Sequence, residues 1–263
     1  MSTAYAQLTR TTDPGELVDL YEGLPEDLPS LCRLIKAQLI HPDNTDRFKH
    51  SLKSAKREDA RFDTVADMLE ALEERNANGL LMDRAPNERL ILSCRYHALL
   101  LLSILRSRNV PARCRVGFAS YLSDRAAKHV DHWICEVWND REERWVLVDP
   151  DREIVDIREG FILAGDAWLM ARNNEINPRL FGAKTSWGLS YIRNNLCHDM
   201  SAILGREPRY WDFPPIGKQA IDGSNEEALQ LLDELAIYLQ DPDANIASVR
   251  RLHAENACLQ YEE

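Results

Sequence analysis

The sequence predicts an α+β fold, and three observations carry the prediction. The most apolar run of the chain, Ala98-Leu99-Leu100-Leu101-Leu102-Ser103-Ile104-Leu105, has the length of a helix and follows directly on Ser93-Cys94-Arg95-Tyr96-His97. Strand-like segments come next at 112–119, 129–139 and 144–149, and Asp140-Arg141-Glu142-Glu143 has the length and polarity of a hairpin loop between the last two. Helical patterns then resume and fill the chain from 157 onward. A helix followed by an antiparallel meander, with helices on both flanks, is an α+β arrangement.

Upstream of this core, 14–40 reads as an antiparallel helical pair. Asp13-Pro14 offers an N-cap and a proline at the first helical position, with Leu17, Leu20 and Tyr21 at helical spacing. Leu31, Leu34, Ile35 and Leu39 repeat the pattern until His41-Pro42 ends it. The polar stretch 44–60 reads as a helix with little apolar face. Asp63 is placed as the cap of a clearer helix carrying Val65, Met68, Leu69 and Leu72, which closes near Asn76-Ala77-Asn78-Gly79. A loop over 80–89 delivers the chain to Cys94, and the helix from Cys94 to about Arg108 ends at Asn109-Val110-Pro111. A polar connection spans 120–128. Beyond Pro150, 157–173 and 187–204 read as helices and 209–218 as an irregular linker. A final pair, 226–239 and 244–256, is divided by Asp241-Pro242-Asp243. The expected organisation is an N-terminal helical region over 1–79, a core over 80–156 and a C-terminal helical extension over 157–263, packed as one unit.

Composition narrows the function. With 43 acidic against 32 basic residues the net charge is −11, so the averaged field repels nucleic acid and anionic membrane. The two basic runs, Lys53-Ser54-Ala55-Lys56-Arg57 and Arg250-Arg251, are short, are followed by acidic residues, and read as solvated helix faces. No basic N-terminal segment leads into an apolar one, and no apolar run nears the ~18 residues that span a bilayer, so a cytoplasmic protein is expected. Six cysteines lie scattered without a Cys-x-x-Cys pair, which spells neither a zinc pattern nor a disulfide framework. No cofactor and no metal are indicated.

Cys94 is set apart from the other five by its context. At a helix start, unpaired backbone N–H groups and the positive end of the helix dipole both stabilise a thiolate. A histidine within reach can take the thiol proton, and a carboxylate on the other ring nitrogen fixes the tautomer. His132, on the second strand, and Asp149, at the end of the third, are the candidates. Strand alternation puts His132, Ile134, Glu136 and Trp138 on one face and Trp133, Cys135 and Val137 on the other. It also turns Asp131 away from His132, leaving Asp149 preferred. His129 and His132, three apart on a strand, face opposite sides, which argues against a metal site with Asp131 or His97. Trp133, Trp138 and Trp145 read as core and strand-pairing residues, and Arg193, Asn195, His198 and Asp199 as solvated or interhelical groups.

Together, Cys94 at a helix start, the Asn109-Val110-Pro111-Ala112-Arg113 turn into a strand, His132 with Glu136-Val137 beyond it, and Trp145 before Asp149-Pro150 resemble the transglutaminase-like superfamily. Peptide N-glycanases and many bacterial proteins share this pattern. Residues 191–199 with Trp211-Asp212 are also similar to an extension found in bacterial transglutaminase-like proteins. The resemblance implies a papain-like core in which a helix carrying Cys94 packs on an antiparallel sheet carrying His132 and Asp149. It further implies that Cys94 attacks a peptide or carboxamide carbonyl to form a thioester, that His132 acts as base and then acid, and that Asp149 orients His132. The backbone N–H of Cys94 would hold the oxyanion with one further donor. The expected substrate is a peptide, a protein or a small amide, with hydrolysis favoured over transamidation because nothing marks an amine-binding tunnel. A binding module that keeps the fold, with its helical flanks as the partner surface, is the alternative. An N-glycanase, suggested by Asp131-His132, is disfavoured by the lack of zinc-binding cysteine pairs.

Overall fold

The computed structural model describes residues 3–48, 50–52, 57–123, 128–220 and 225–262. It is an α+β protein. In chain order the elements are α1 (Leu28–Gln38), β1 (Leu39–Ile40), α2 (Val65–Arg75), β2 (Leu90–Ile91), α3 (Cys94–Ser107), β3 (Ala112–Ala119) and β4 (His129–Asn139). After these come β5 (Arg144–Asp149), β6 (Ile154–Val155), β7 (Phe161–Leu163), α4 (Ala164–Arg172), β8 (Phe181–Ala183) and β9 (Ser186–Trp187). The chain closes with α5 (Leu189–Ile203), α6 (Pro215–Lys218), α7 (Glu226–Gln240) and α8 (Pro242–Glu255). Among the described residues no helix is long and apolar enough to cross a membrane. Two compact units emerge, one of Thr3–Cys114 with Trp133–Ile157, the other built chiefly from Arg115–His132 and Arg158–Glu263.

The first unit is centred on α3. Every residue from Cys94 to Arg106 is buried, as an all-round apolar helix requires. The Cys135 thiol donates to the carbonyl of Ala98 at 3.4 Å, fixing which face of β4 meets this helix. Strand β5 pairs antiparallel with β4 over five residue pairs, from Cys135↔Val148 to Asn139↔Arg144, and β6 continues the sheet beyond β5. Within that register Trp138 and Trp145 face each other, their rings edge to face at 5.5 Å, the cross-strand role expected of them.

Several of the flanking elements differ from expectation. The first member of the predicted helical pair, expected to open at Asp13-Pro14, is a 3-10 helix, Gly15–Tyr21, and the second is α1, capped by Asp27. Leu17 and Leu20 are three apart, which is the repeat of a 3-10 helix, and Tyr21 alone is buried, with its hydroxyl 2.6 Å from that of Ser103 on α3. The polar helix expected over 44–60 is replaced by two short 3-10 turns, Pro42–Phe48 and Asp59–Arg61; residues 49 and 53–56 lie outside the described part. Within 80–89, otherwise a loop as expected, Pro86–Glu88 makes one 3-10 turn.

Helix α2 is capped by Thr64, not Asp63. The Thr64 hydroxyl accepts from the N–H of Asp67, whose carboxylate in turn accepts from the N–H of Thr64, a reciprocal capping box. Thr64→Ala is therefore expected to lower the unfolding free energy by about 1 kcal/mol in urea titration, with Asp63→Ala having a smaller effect. Equal losses in the two variants would refute this cap.

In the second unit, Phe161-Ile162-Leu163 is not the start of a helix but strand β7, antiparallel to β3 in the register Gly117↔Leu163 and Ala119↔Phe161. The approach is close: a Cβ on Gly117 would lie 2.2 Å from the Ile162 carbonyl oxygen. Strand β8 runs parallel to the start of β4, with His129↔Phe181, and β9 turns back on it. The apolar faces of α4, α5, α7 and α8 form the core of this unit around Trp168, Leu196, Met200 and Leu235. Of the two roles expected for Arg193, Asn195, His198 and Asp199 on α5, solvated or interhelical, burial excludes the first: all four are within the interior. Asp199 grips Arg115 through both carboxylate oxygens at 3.0 Å and also accepts the N–H of Val116 at 2.8 Å.

Candidate functional site

Helix α3 starts at Cys94, with Ser93 as its N-cap in an extended conformation. Ser93 does not cap through its own side chain. Its N–H and its hydroxyl both donate to the buried carboxylate of Asp59, each at 2.9 Å, and Tyr96 in the first turn donates to the carbonyls of Asp59 and Phe62. This pins the turn that presents Cys94, so the thiol sits at a fixed place over the helix N-terminus. Cys94 is only 4 % exposed. The neighbouring Arg95 is buried, with its guanidinium 4.8 Å above the Tyr96 ring.

A short ribbon brings a second chemical group to the same place. Strands β1 and β2 are parallel, pairing Ile40 with Ile91, and the N–H of Leu92 donates to the carbonyl of Ile40 at 3.0 Å. The residues that follow on the two strands are His41 on one side and Ser93-Cys94 on the other. The His41 ring lies 6.3 Å from that of His97 in the first turn of α3. Burial works against charging His41, but the Cys94 thiol and the carboxylates of Asp151 and Asp43 prevail and raise it above the ordinary histidine value. Its Nδ1 accepts the backbone N–H of Asp43 at 3.2 Å.

Behind this pair lies His97, one turn along α3. It is fully buried, with Nδ1 3.1 Å from the Ser93 carbonyl oxygen and Nε2 3.7 Å from Oδ1 of Asp151. Burial pushes it down to about 4 despite the attraction of Asp151. Asp151 has Arg152 at 3.4 Å, and its carbonyl receives the ammonium of Lys36 at 2.8 Å.

Asp149 ends β5 and is completely buried, with Oδ1 accepting the N–H of Arg152 at 3.0 Å. It shares a unit with Cys94. Burial first, and then the charge of Asp149, push the Cys32 thiol up to about 12; burial is also the main cause that raises Cys135, with Asp149 contributing. His132 belongs to the other unit, at its last residue before Trp133, and is 1 % exposed with its ring edge-on to Tyr121 at 6.3 Å. Asp131 is engaged elsewhere in that unit: it accepts the hydroxyl of Tyr191 at 3.0 Å and the amide of Asn195 at 2.7 Å. His129 stacks on Phe181 at 4.4 Å. Among the described residues no group of three or more His, Cys, Asp or Glu side chains is placed to hold a metal ion.

The residue that sequence reasoning missed is His41. Its one visible signal is position, directly before Pro42 at the end of an apolar run. Two-residue strands do not announce their pairing, and that pairing is what carries His41 to Cys94.

Comparison with known proteins places residues 87–150 in a match to the family model described as the transglutaminase-like superfamily. The matched segment begins before β2, contains all of α3, β3, β4 and β5, and includes Cys94, His132 and Asp149. No curated protein and no solved structure matches the chain.

Proposed function

We propose that this transglutaminase-like segment is the chemical centre of a cysteine-dependent acyl-transfer enzyme of the protease or amidase kind. The observation that carries the reading is the placement of Cys94. It opens a buried helix inside the family-matched segment, has His41 beside the first turn of that helix, and has its cap held by Asp59.

In this mechanism His132 takes the thiol proton and the thiolate of Cys94 attacks the carbonyl carbon of a peptide or carboxamide. The carbonyl π pair moves to oxygen, and the backbone N–H of Cys94 receives the developing charge. Collapse of the tetrahedral intermediate expels the amine, which His132 protonates, leaving a thioester on Cys94. Water then attacks the thioester through the same histidine and releases the acid. Asp149 holds the tautomer of His132 and balances the imidazolium. The net charge of −11 suits a peptide, protein or small amide substrate rather than a polyanion or an anionic membrane, and the free thiols suit the reducing cytoplasm.

The test is the pH profile of iodoacetamide alkylation, quantified at each cysteine by peptide mapping, in the parent and in His132→Ala. Cys94 is expected to react well below the ~8.5 of a free thiol, and to slow about tenfold or more at neutral pH in the variant. Cys32, Cys135 and Cys197, all pushed up by burial, are expected to stay unreacted. A folded protein whose Cys94 reacts no faster than those thiols would remove the nucleophile from the reading.

A further inference from the structure

We propose that His41 is the side-chain donor that, with the Cys94 backbone N–H, holds the oxyanion of the acyl-transfer intermediate. This inference rests on the reading of Cys94 as nucleophile and assigns a role to a residue outside the Cys94, His132 and Asp149 set. Three observations bear on it. The parallel β1–β2 pairing, closed by the bond from Leu92 N–H to the Ile40 carbonyl, fixes His41 beside the first turn of α3. The His41 ring lies 6.3 Å from that of His97, in the same first turn of α3 that Cys94 opens, and the Cys94 thiol acts on its titration. The Asp43 N–H occupies the Nδ1 lone pair at 3.2 Å, so the neutral ring carries its proton on Nε2 and is a donor on its free side.

That tautomer decides between two roles for a histidine at a thiol. A base needs a free lone pair facing the sulfur; His41 has committed its lone pair to the backbone of Asp43. What it offers at the thiol is an N–H. As the thiolate adds to a carbonyl, negative charge leaves sulfur and grows on oxygen. A donor already aimed at that locus, and held by a backbone hydrogen bond, follows the charge without reorganising. His97 cannot substitute, because its ring is fully buried between Ser93 and Asp151.

The experiment compares two reactions of Cys94 in the full chain. Acylation by p-nitrophenyl acetate forms the S–C bond through a tetrahedral oxyanion and expels nitrophenolate, leaving an acetyl thioester. Alkylation by iodoacetamide displaces iodide at a saturated carbon and forms no oxyanion. Each rate is taken at the plateau of that protein's own alkylation pH profile, so that differences in thiolate fraction drop out. His41→Asn keeps an acceptor for the Asp43 N–H but has too short a reach to meet Cys94, whereas His41→Gln carries an N–H as many bonds from the backbone as Nε2. In His41→Asn acylation is expected to fall about a hundredfold while alkylation stays within roughly twofold, and His41→Gln is expected to recover most of the loss. Unchanged plateau rates in both reactions, with the alkylation profile moved to higher pH, would make His41 a proton acceptor for the thiol, and parallel falls in both, or rates and profile all unchanged, would make it a packing residue; each overturns the proposal. A parent protein whose Cys94 is inert to both reagents defeats the nucleophile reading itself, an outcome distinct from the others.

Discussion

Asp199→Ala is expected to lower the unfolding free energy by about 4 kcal/mol, read from the urea midpoint at neutral pH. Asp199 is fully buried on α5 and takes two hydrogen bonds from the Arg115 guanidinium and one from the backbone N–H of Val116. The same guanidinium donates to the carbonyl of Leu239 near the end of α7 at 3.0 Å. One carboxylate thus fastens β3, α5 and α7, and its removal takes from a buried cation the counter-charge that Asp199 supplies. The penalty comes less from the lost bond than from the charge left without its partner in a low-dielectric interior. Asp199→Asn, which keeps the shape and one acceptor oxygen, is expected to fall between the parent and the alanine variant. A loss below about 1 kcal/mol in Asp199→Ala would mean that Arg115 reaches water when unpaired, contrary to its burial.

The elements whose patterns were long and pure were legible from residues alone. Strands β3, β4 and β5 occupy the predicted spans, α3 begins at Cys94, and α7 with α8 form the predicted final pair. Their signals are local: period two on a strand, a cap before a helix, a polar four-residue loop. Where packing decides, the reading failed. Phe161-Ile162-Leu163 is apolar in both interpretations, and its pairing with β3 depends on Gly117, whose missing Cβ lets β7 come close. Arg193, Asn195, His198 and Asp199 look like a polar helix face until the partners of Asp199 on β3 are known, for buried charge is written in pairs far apart in sequence.

The candidate site divides in the same way. Cys94, His132 and Asp149 stand in contexts that sequence exposes, because Cys94 opens a long apolar helix, His132 lies in a strand of clear alternation, Asp149 ends the next strand, and all three fall within the family-matched segment. The residues that hold Cys94 in place do not. Asp59 lies in a 3-10 turn 34 positions before Ser93, and His41 follows a two-residue strand. Neither element has the length to register as a periodic pattern, yet both meet the first turn of α3. The polar support of the cysteine therefore came from segments read as linkers.

His97, in that same support, is expected to make the protein acid-sensitive. Its folded value is about 4, against 6.5 for an ordinary histidine, chiefly because burial disfavours the imidazolium. Above pH 6.5 neither the folded nor the unfolded chain holds this proton, and the residue adds no pH dependence. As pH falls below 6.5 the unfolded chain takes up the proton first, so it binds more protons than the folded one and stability declines with falling pH until about 4. A gap of that size amounts to about 3 kcal/mol lost over the window, the outer limit if Asp151 keeps its charge throughout. His97→Phe retains the ring volume without the titrating nitrogens. It is expected to cost about 1 kcal/mol near pH 7 from the bond to the Ser93 carbonyl, and to flatten the slope between pH 6.5 and 4. Urea midpoints across that range would report the difference between the two proteins, in which carboxylates common to both cancel. Parallel curves would mean that His97 is charged in the folded state and paired with Asp151, 3.7 Å away, as an ion pair under the cysteine.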